Sequence, residues 1–321
     1  MGKSLDQLDI VLNPDIKHWE HLIGWITKTE GWMFRVEDYT TWLTTFEKFW
    51  YFFAIDKVEP YLFPETQEAV AGLSMSYERS ASGEEDEDVY CLGMYYVKPD
   101  WRNSGIGCML FDKLMAIAGD ANIALHGVLK MSPKYAAKYG FNKMPNYKHD
   151  FASITTEHLV LPKQDNEHTI KDLEKIEEAK IITYDVGITH RSRAKYLLKF
   201  LTTGQCYVKV ALNSAEEIVG ICCIRVVITN DLSIGPFYAN NAAAARSVLA
   251  ATLASIPDIK KHKNLYSLYP AINKEARNLF EAISGGHAKI QPFTQCAFTK
   301  KLIPTADEKV FGMIECASSL A

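Results

Sequence analysis

An apolar run from Val89 to Val97 leads, across Lys98-Pro99-Asp100-Trp101, into Arg102-Asn103-Ser104-Gly105-Ile106-Gly107. Ile106, Leu110, Leu114 and Ile117 then recur at helical spacing until Gly119. A continuous apolar strand is one covered on both faces, so strand, glycine loop and helix confine this part of the chain to a layered α/β arrangement. Glycines at a helix start let a bound group approach the backbone, because a Cβ would stand in its way. The unpaired N–H groups and the positive end of the helix dipole there suit a phosphate or pyrophosphate.

Two phosphate-binding signatures are excluded by neighbouring residues. A dinucleotide loop needs a third small residue where this chain has Leu110, and an acidic residue about twenty positions on, which is missing. A P-loop needs Lys and Ser or Thr after its second glycine, where this chain has Cys108-Met109.

Before the loop, residues 5–12 read as a strand. HWEHLIGWITKTE, ending at Gly31, and VEDYTTWLTTFEKF read as helices. FWYFFAID and AVAGLSMSYER read as strands, with SASGEEDED as a hairpin loop carrying solvated Asp86, Glu87 and Asp88. After the loop come the strand ANIALHGVL, a helix capped by Ser132 with Pro133 at its first position, and a new strand after Gly140. The second half repeats this order: ICCIRVVIT and LSIGPFY as strands, a helix from Ala242, the strand NLYSLYP, a helix from Lys274 capped by Asn273, and the strand PFTQCAFTKK. Residues 156–180, including a charged helix KDLEKIEEAK, are expected to join the halves.

A chain of 321 residues, 48% hydrophobic and 23% charged, matches two domains at about 100–200 residues each. A formal charge of -4 gives no basic footprint for nucleic acid or an anionic membrane, so neither is expected as a partner. The N-terminus has no long apolar core, and its match to a lipidation pattern fails at Asp6, so a soluble cytoplasmic protein is expected. Seven cysteines without a CxxC pair signal neither a disulfide framework nor a metal site.

VKPDWRNSGIGCMLFDKLM resembles the Arg/Gln-x-x-Gly-x-Gly/Ala signature of the GCN5-related N-acetyltransferase (GNAT) superfamily, and KYGF at 138–141 falls at that family's second cofactor-side element. Gly31-Trp32 with Asp38 resembles the entrance of a tandem-GNAT group. DVGITHRSRAKYL, GPFYANNAAAA and VFGMIE resemble that group's degenerate C-terminal domain. The resemblance implies an α/β fold of two tandem GNAT units, each a central mixed sheet flanked by helices: an acyl-CoA-binding catalytic domain over 1–158 and a degenerate domain over 159–321. Ala244 and Arg246 stand where the second half would carry the two loop glycines, so one cofactor site is expected.

The implied activity moves an acetyl group from acetyl-CoA, without a metal, to a primary amine of a small molecule, by direct transfer in a ternary complex. The resemblance assigns Tyr95, Tyr96 and Val97 to cofactor backbone contacts. It assigns Arg102, Asn103, Ser104, Gly105, Ile106, Gly107 and Cys108 to the pyrophosphate, and a backbone N–H near Met94 to the thioester oxyanion. An alkyl ammonium with a pKa of ~10.4 must shed a proton before attack, for which Glu37, Asp38 and Glu78 are candidates. Many family members place a Tyr four residues before the glycine of the KYGF-like element, where this chain has Ala136. Tyr139 is preferred as the acid over Tyr135, and Glu78 completes the catalytic candidates. Trp32 and Asp38 are the candidate substrate contacts, while His126 and Cys108 read as packing residues. The alternative reading is a catalytically silent CoA-binding sensor or scaffold, prompted by Ala136 and the degenerate second half.

Overall fold

The computed structural model describes residues 4–57, 67–164 and 167–321. Met1 to Lys3, the start of the lipidation-like pattern, and Asp165-Asn166 of the join lie outside them. In the first half, β1 (Leu8–Leu12) is followed by α1 (Ile16–Glu30), α2 (Val36–Thr45), β2 (Phe49–Asp56), β3 (Ala69–Ser80) and β4 (Val89–Val97). Then come α3 (Ile106–Ala118), β5 (Ile123–Val128), α4 (Ser132–Tyr139) and β6 (His149–Thr155). The second half holds β7 (Thr169–Asp172), α5 (Glu178–Thr189), β8 (Arg191–Ser192), α6 (Ala194–Thr202), β9 (Cys206–Leu212), β10 (Ile218–Val226) and β11 (Leu232–Ala239). It ends with α7 (Ala242–Ala254), β12 (Asn264–Pro270), α8 (Lys274–Ile283), β13 (Lys289–Phe298) and β14 (Val310–Gly312).

One sheet path runs β1-β2-β3-β4-β5-β13-β6-β12-β11-β10-β9-β7. Parallel pairs occur at the same place in each half: β4 with β5, and β11 with β12. Its centre is exchanged. β13 of the second half lies antiparallel against β5, and β6 of the first half lies antiparallel against β12. These two incoming strands also pair with each other.

α1 forms because Asp15 caps it, accepting from the Lys17 N–H at 3.0 Å, and because Trp19, Leu22, Ile23 and Ile26 share one buried face. Gly31, at φ 69, ends it in the left-handed conformation that only glycine adopts without cost. One apolar cluster joins Trp19, Phe49 and Tyr51 to Tyr196, Phe200 and Tyr238, so the halves share a core. Stacking of Phe46 on Tyr196, with ring centroids 4.6 Å apart, is part of that junction.

Three sequence expectations are corrected. Residues 171–180 are not one helix: β7 ends at Asp172, a short 3-10 turn covers Leu173–Lys175, and α5 starts at Glu178. β7 pairs with β9, and Asp172 binds both Lys175 and Lys209, so tertiary pairing overrides a locally helical charge pattern. Ser132 is the first residue of α4, not its cap. Its hydroxyl donates back to the carbonyls of Gly127 and Val128, at 3.2 and 3.3 Å. The helix from Val36 stops at Thr45, after which the chain enters the aromatic strand β2.

Candidate functional site

The β4–β5 pairing reaches from Tyr90 opposite Ile123 to Leu92 opposite Leu125 and then stops. Against β3 the register of β4 slips between Gly93 and Tyr96, so Met94 and Tyr95 together oppose Leu73. This is a β-bulge, with Met94 in the left-handed region at φ 49. A bulged strand bends and leaves its extra residue without a ladder partner, which opens the sheet where β5 no longer follows.

Beside this opening, α3 starts at the glycine loop. Its cap position is Gly105, at φ 94, which has no side chain to cap the helix, and only the neighbouring Ser104 hydroxyl accepts a first-turn N–H, that of Ile106 at 3.4 Å. Among the described residues, the N–H groups of Gly105, Gly107 and Cys108 have no acceptor. The two glycines serve different ends. A Cβ on Gly105 would meet little besides Leu5, so its requirement is the backbone angle. A Cβ on Gly107 would lie 2.1 Å from the Tyr95 hydroxyl, so this glycine seats the tyrosine of the bulge. Arg102 donates to the Val97 carbonyl at 3.0 Å and to Glu30 at 2.7 Å, which closes one end of the loop.

The corresponding place in the second half is filled. β11 and β12 pair only from Leu232 opposite Leu265 to Ile234 opposite Ser267, and β14 then joins β11 at Phe237 and Tyr238. At the start of α7 the Asn241 side chain accepts the Ala244 N–H at 2.9 Å. One N–H of that helix start is thus taken by its own cap side chain, which Gly105 cannot do for α3, and the strand opening is occupied by β14.

A cavity of about 330 Å³ occupies the first-half opening. Its walls come from β4 (Met94, Tyr95), β5 (His126, Gly127), α4 (Tyr135), the connection after α1 (Trp32, Phe34) and, from the second half, Phe200, Arg225 and residues 313–317. The last segment crosses close to β4, where a Cβ on Gly93 would lie 1.4 Å from the Ala317 carbonyl oxygen.

Of the residues singled out from sequence, Trp32, Met94, Tyr95, His126 and Tyr135 line this cavity. Burial raises the Tyr135 phenol well above its ordinary range. Tyr139 stands outside the cavity wall, stacked on Phe111 with centroids 4.0 Å apart and beside Lys138. Tyr96 is buried, its hydroxyl 3.0 Å from that of Thr29. Asp38 is buried behind the wall, accepting the Arg35 N–H at 2.8 Å and pairing with Arg225. Glu78 is buried and accepts from the Ser319 hydroxyl at 2.6 Å, behind the crossing segment; desolvation raises its pKa. His126 lies on the wall as a neutral imidazole, its pKa pushed down to about 4 by burial. Its Nε2 donates to the Leu320 carbonyl at 3.2 Å, which leaves Nδ1 with a lone pair.

One lining carboxylate escaped the residue-by-residue reading. Glu315 ends the VFGMIE segment, and as a whole it is half-buried, yet both carboxylate oxygens are closed off from solvent. Neither oxygen makes a hydrogen bond of ordinary geometry, nor does the nearby Tyr196 hydroxyl, which with the Ser318 backbone acts on the carboxyl only as a weak donor. Its pKa is pushed up to about 8, first by desolvation and then by the Asp38 carboxylate. The Tyr196 hydroxyl, the Arg225 guanidinium and the Ser318 backbone only partly offset this. The available signal was an acidic residue in an otherwise apolar run, which implies a buried carboxylate.

Among the described residues no helix is long and apolar enough to cross a membrane, and no group of His, Cys, Asp and Glu is arranged to hold a metal ion. A family profile described as "Protein of unknown function (DUF1248)" matches residues 5–188. An uncharacterised Caenorhabditis elegans protein is 27% identical over 168 residues, 49% of this chain and 52% of that protein, so the match spans about half the relative's length. Among solved structures, a putative acetyltransferase from Pyrococcus horikoshii is similar with a TM-score of 0.67 and 14% identity, covering 97% of this chain and 96% of that one. A tandem GNAT protein from the clavulanic acid biosynthesis pathway gives 0.61 at 14% identity, covering 91% and 97%. A GCN5-related N-acetyltransferase from Sphaerobacter thermophilus gives 0.54 at 11% identity, covering 92% and 96%. Likeness at these identities is likeness of fold. By the profile match over residues 5–188 the chain belongs to the DUF1248 family, and by the parted strand pair in each half and its likeness to these structures it has the fold of a tandem GNAT protein.

Proposed function

We propose that this protein is a cytoplasmic acyl-CoA-dependent N-acyltransferase that acetylates a primary amine of a small molecule by direct transfer in a ternary complex. Residues 1–158 form its acyl-CoA-binding catalytic unit, and residues 159–321 a degenerate unit that walls the acceptor side. The observation that carries this reading is the asymmetry of the halves: the first keeps a glycine at its helix cap beside a parted strand pair and a cavity, whereas in the second an asparagine caps the helix and β14 occupies the strand opening.

When bound, acyl-CoA supplies the acyl group as a thioester with a thiolate leaving group. The N–H groups of Gly105, Gly107 and Cys108, with the α3 dipole, fit its pyrophosphate. Lys138, beside Cys108, adds positive charge to that loop, while Arg102 is paired with Glu30. Beyond Leu92 the unpaired edge of β4 offers backbone donors for the thioester oxygen. The amine nitrogen gives up a proton and attacks the carbonyl, the C–N bond forms, the C–S bond breaks, and the thiolate takes up a proton. Tyr135, on the wall and held protonated by burial, is the donor this geometry favours over Tyr139. The partners of this reading are a small amine and acyl-CoA, with no nucleic acid or membrane.

Acetyl-CoA should raise the melting temperature, because it binds the folded state only. Gly105→Asp should remove that shift, since it adds a negative charge and a Cβ at φ 94. Free thiol should appear when an amine panel is supplied. An unshifted melt at millimolar acetyl-CoA overturns the reading. Ala136, at the family's acid position, supports a second reading, a silent acyl-CoA sensor, which predicts the melt shift without thiol release.

A further inference from the structure

The cavity has a chemical character that bears on its acceptor. Trp32, Phe34, Phe151, Phe200 and Phe293 supply aromatic surface, which favours an apolar body. Charges on the wall are few and mostly committed. Glu30 pairs with Arg102 at 2.7 Å, and Arg225 pairs with Asp38 while lying 3.8 Å over the Phe200 ring. That leaves Glu315, whose two buried oxygens make no hydrogen bond of ordinary geometry and are served only weakly by the Tyr196 hydroxyl and the Ser318 backbone. A carboxylate shut off from water with so little hydrogen bonding and no ion pair of its own is costly unless something comes to satisfy it.

We infer that the acceptor is a small monoamine with an apolar, aromatic-compatible body and no carboxylate, and that Glu315 binds its ammonium and takes the proton it must lose. This rests on the acyltransferase reading above and deepens it. An ammonium reaching Glu315 supplies the missing counter-charge and two or three donors, which favours the ionised carboxylate. The carboxylate then accepts one N–H proton, and the freed lone pair attacks the thioester carbonyl. The C–N bond forms, the C–S bond breaks, and the thiolate leaves to be protonated.

The groups facing Glu315 agree with this assignment. Asp38 from α2 disfavours its charge, while Arg225 from β10, the Tyr196 hydroxyl from α6 and the Ser318 backbone favour it; the Cys316 thiol beside it is held neutral by burial and by Glu315. With a pKa of about 8 in the free protein, it is poised for proton transfer near neutral pH. A substrate carboxylate would instead meet Glu315, with the Asp38 charge behind the wall and the one nearby cation, Arg225, already paired. A sugar amine would leave most of its hydroxyls against aromatic walls.

The test follows thiol release with phenethylamine, phenylalanine and glucosamine from about pH 6 to about pH 9, alongside the acetyl-CoA melt shift, for the native chain, Glu315→Gln and Glu315→Asp. The expected result is kcat/KM for phenethylamine at least about 10²-fold above the other two amines. Glu315→Gln should lower it by about 10²- to 10⁴-fold and flatten its rise with pH, with the melt shift kept, while Glu315→Asp retains part of the activity. Faster turnover of phenylalanine or glucosamine, or an unchanged Glu315→Gln, overturns the inference and leaves the acyltransferase reading standing. Absence of thiol release with every amine overturns both.

Discussion

At the scale of single residues, the glycine loop was legible because its requirements are local. The angle at Gly105 and its place at the cap of α3 follow from a few neighbouring positions. Gly107 is different, since the Tyr95 ring that demands it arrives from a bulge no spacing rule announces. Gly107→Ala is accordingly expected to cost about 1–3 kcal/mol in urea unfolding, with much of the loss relieved in a Tyr95→Phe background. Equal costs in both backgrounds would remove the tyrosine from the explanation. Glu315 does not stand out within VFGMIE, because its role depends on Asp38, Tyr196 and Arg225 from three distant elements. A carboxyl whose folded pKa stands near 8, against ~4.3 when unfolded, holds a proton the unfolded chain has lost throughout that interval. The stability it contributes is fully present below ~4.3 and is lost as pH rises through about 8. Glu315→Gln should therefore melt progressively higher than the native chain as pH rises from about 5 to about 8. A difference independent of pH would contradict that assignment.

At the scale of elements, periodicity and punctuation placed α1, α3, α7 and α8 well, because each has an apolar stripe and a glycine or asparagine at an end. The stretch 171–180 misled for the opposite reason: its charges suit a helix, but pairing of β7 with β9 decides its form. The two equivalent helix starts make the sharpest contrast. Asn241 caps α7, so Asn241→Ala is expected to lower stability by about 1 kcal/mol in chemical unfolding without touching the acetyl-CoA melt shift. Loss of that shift in Asn241→Ala would mean the second helix start takes part in binding after all.

At the scale of the whole molecule, the exchanged strands make the halves interdependent. Without β13 the edge of β5 is left open, and without β12 and β13 the strand β6 has no neighbour. A fragment of residues 1–158 should therefore aggregate or melt without cooperativity, and recover when residues 159–321 are co-expressed. A monomeric fragment with a sharp melt by circular dichroism would refute this dependence. Local chemistry alone, read along the chain, determined the strand–loop–helix that suits an anion, the repeat of that order, and the loss of the second loop. Those features depend on residues close in sequence, where backbone sterics, helix periodicity and capping act. Only the tertiary structure decided which strands interleave, that Tyr135 rather than Tyr139 meets the cavity, and that Glu315 stands unpaired at its wall. Burial and electrostatic environment are set by residues far apart in sequence, and they exist only once the two halves have closed on each other.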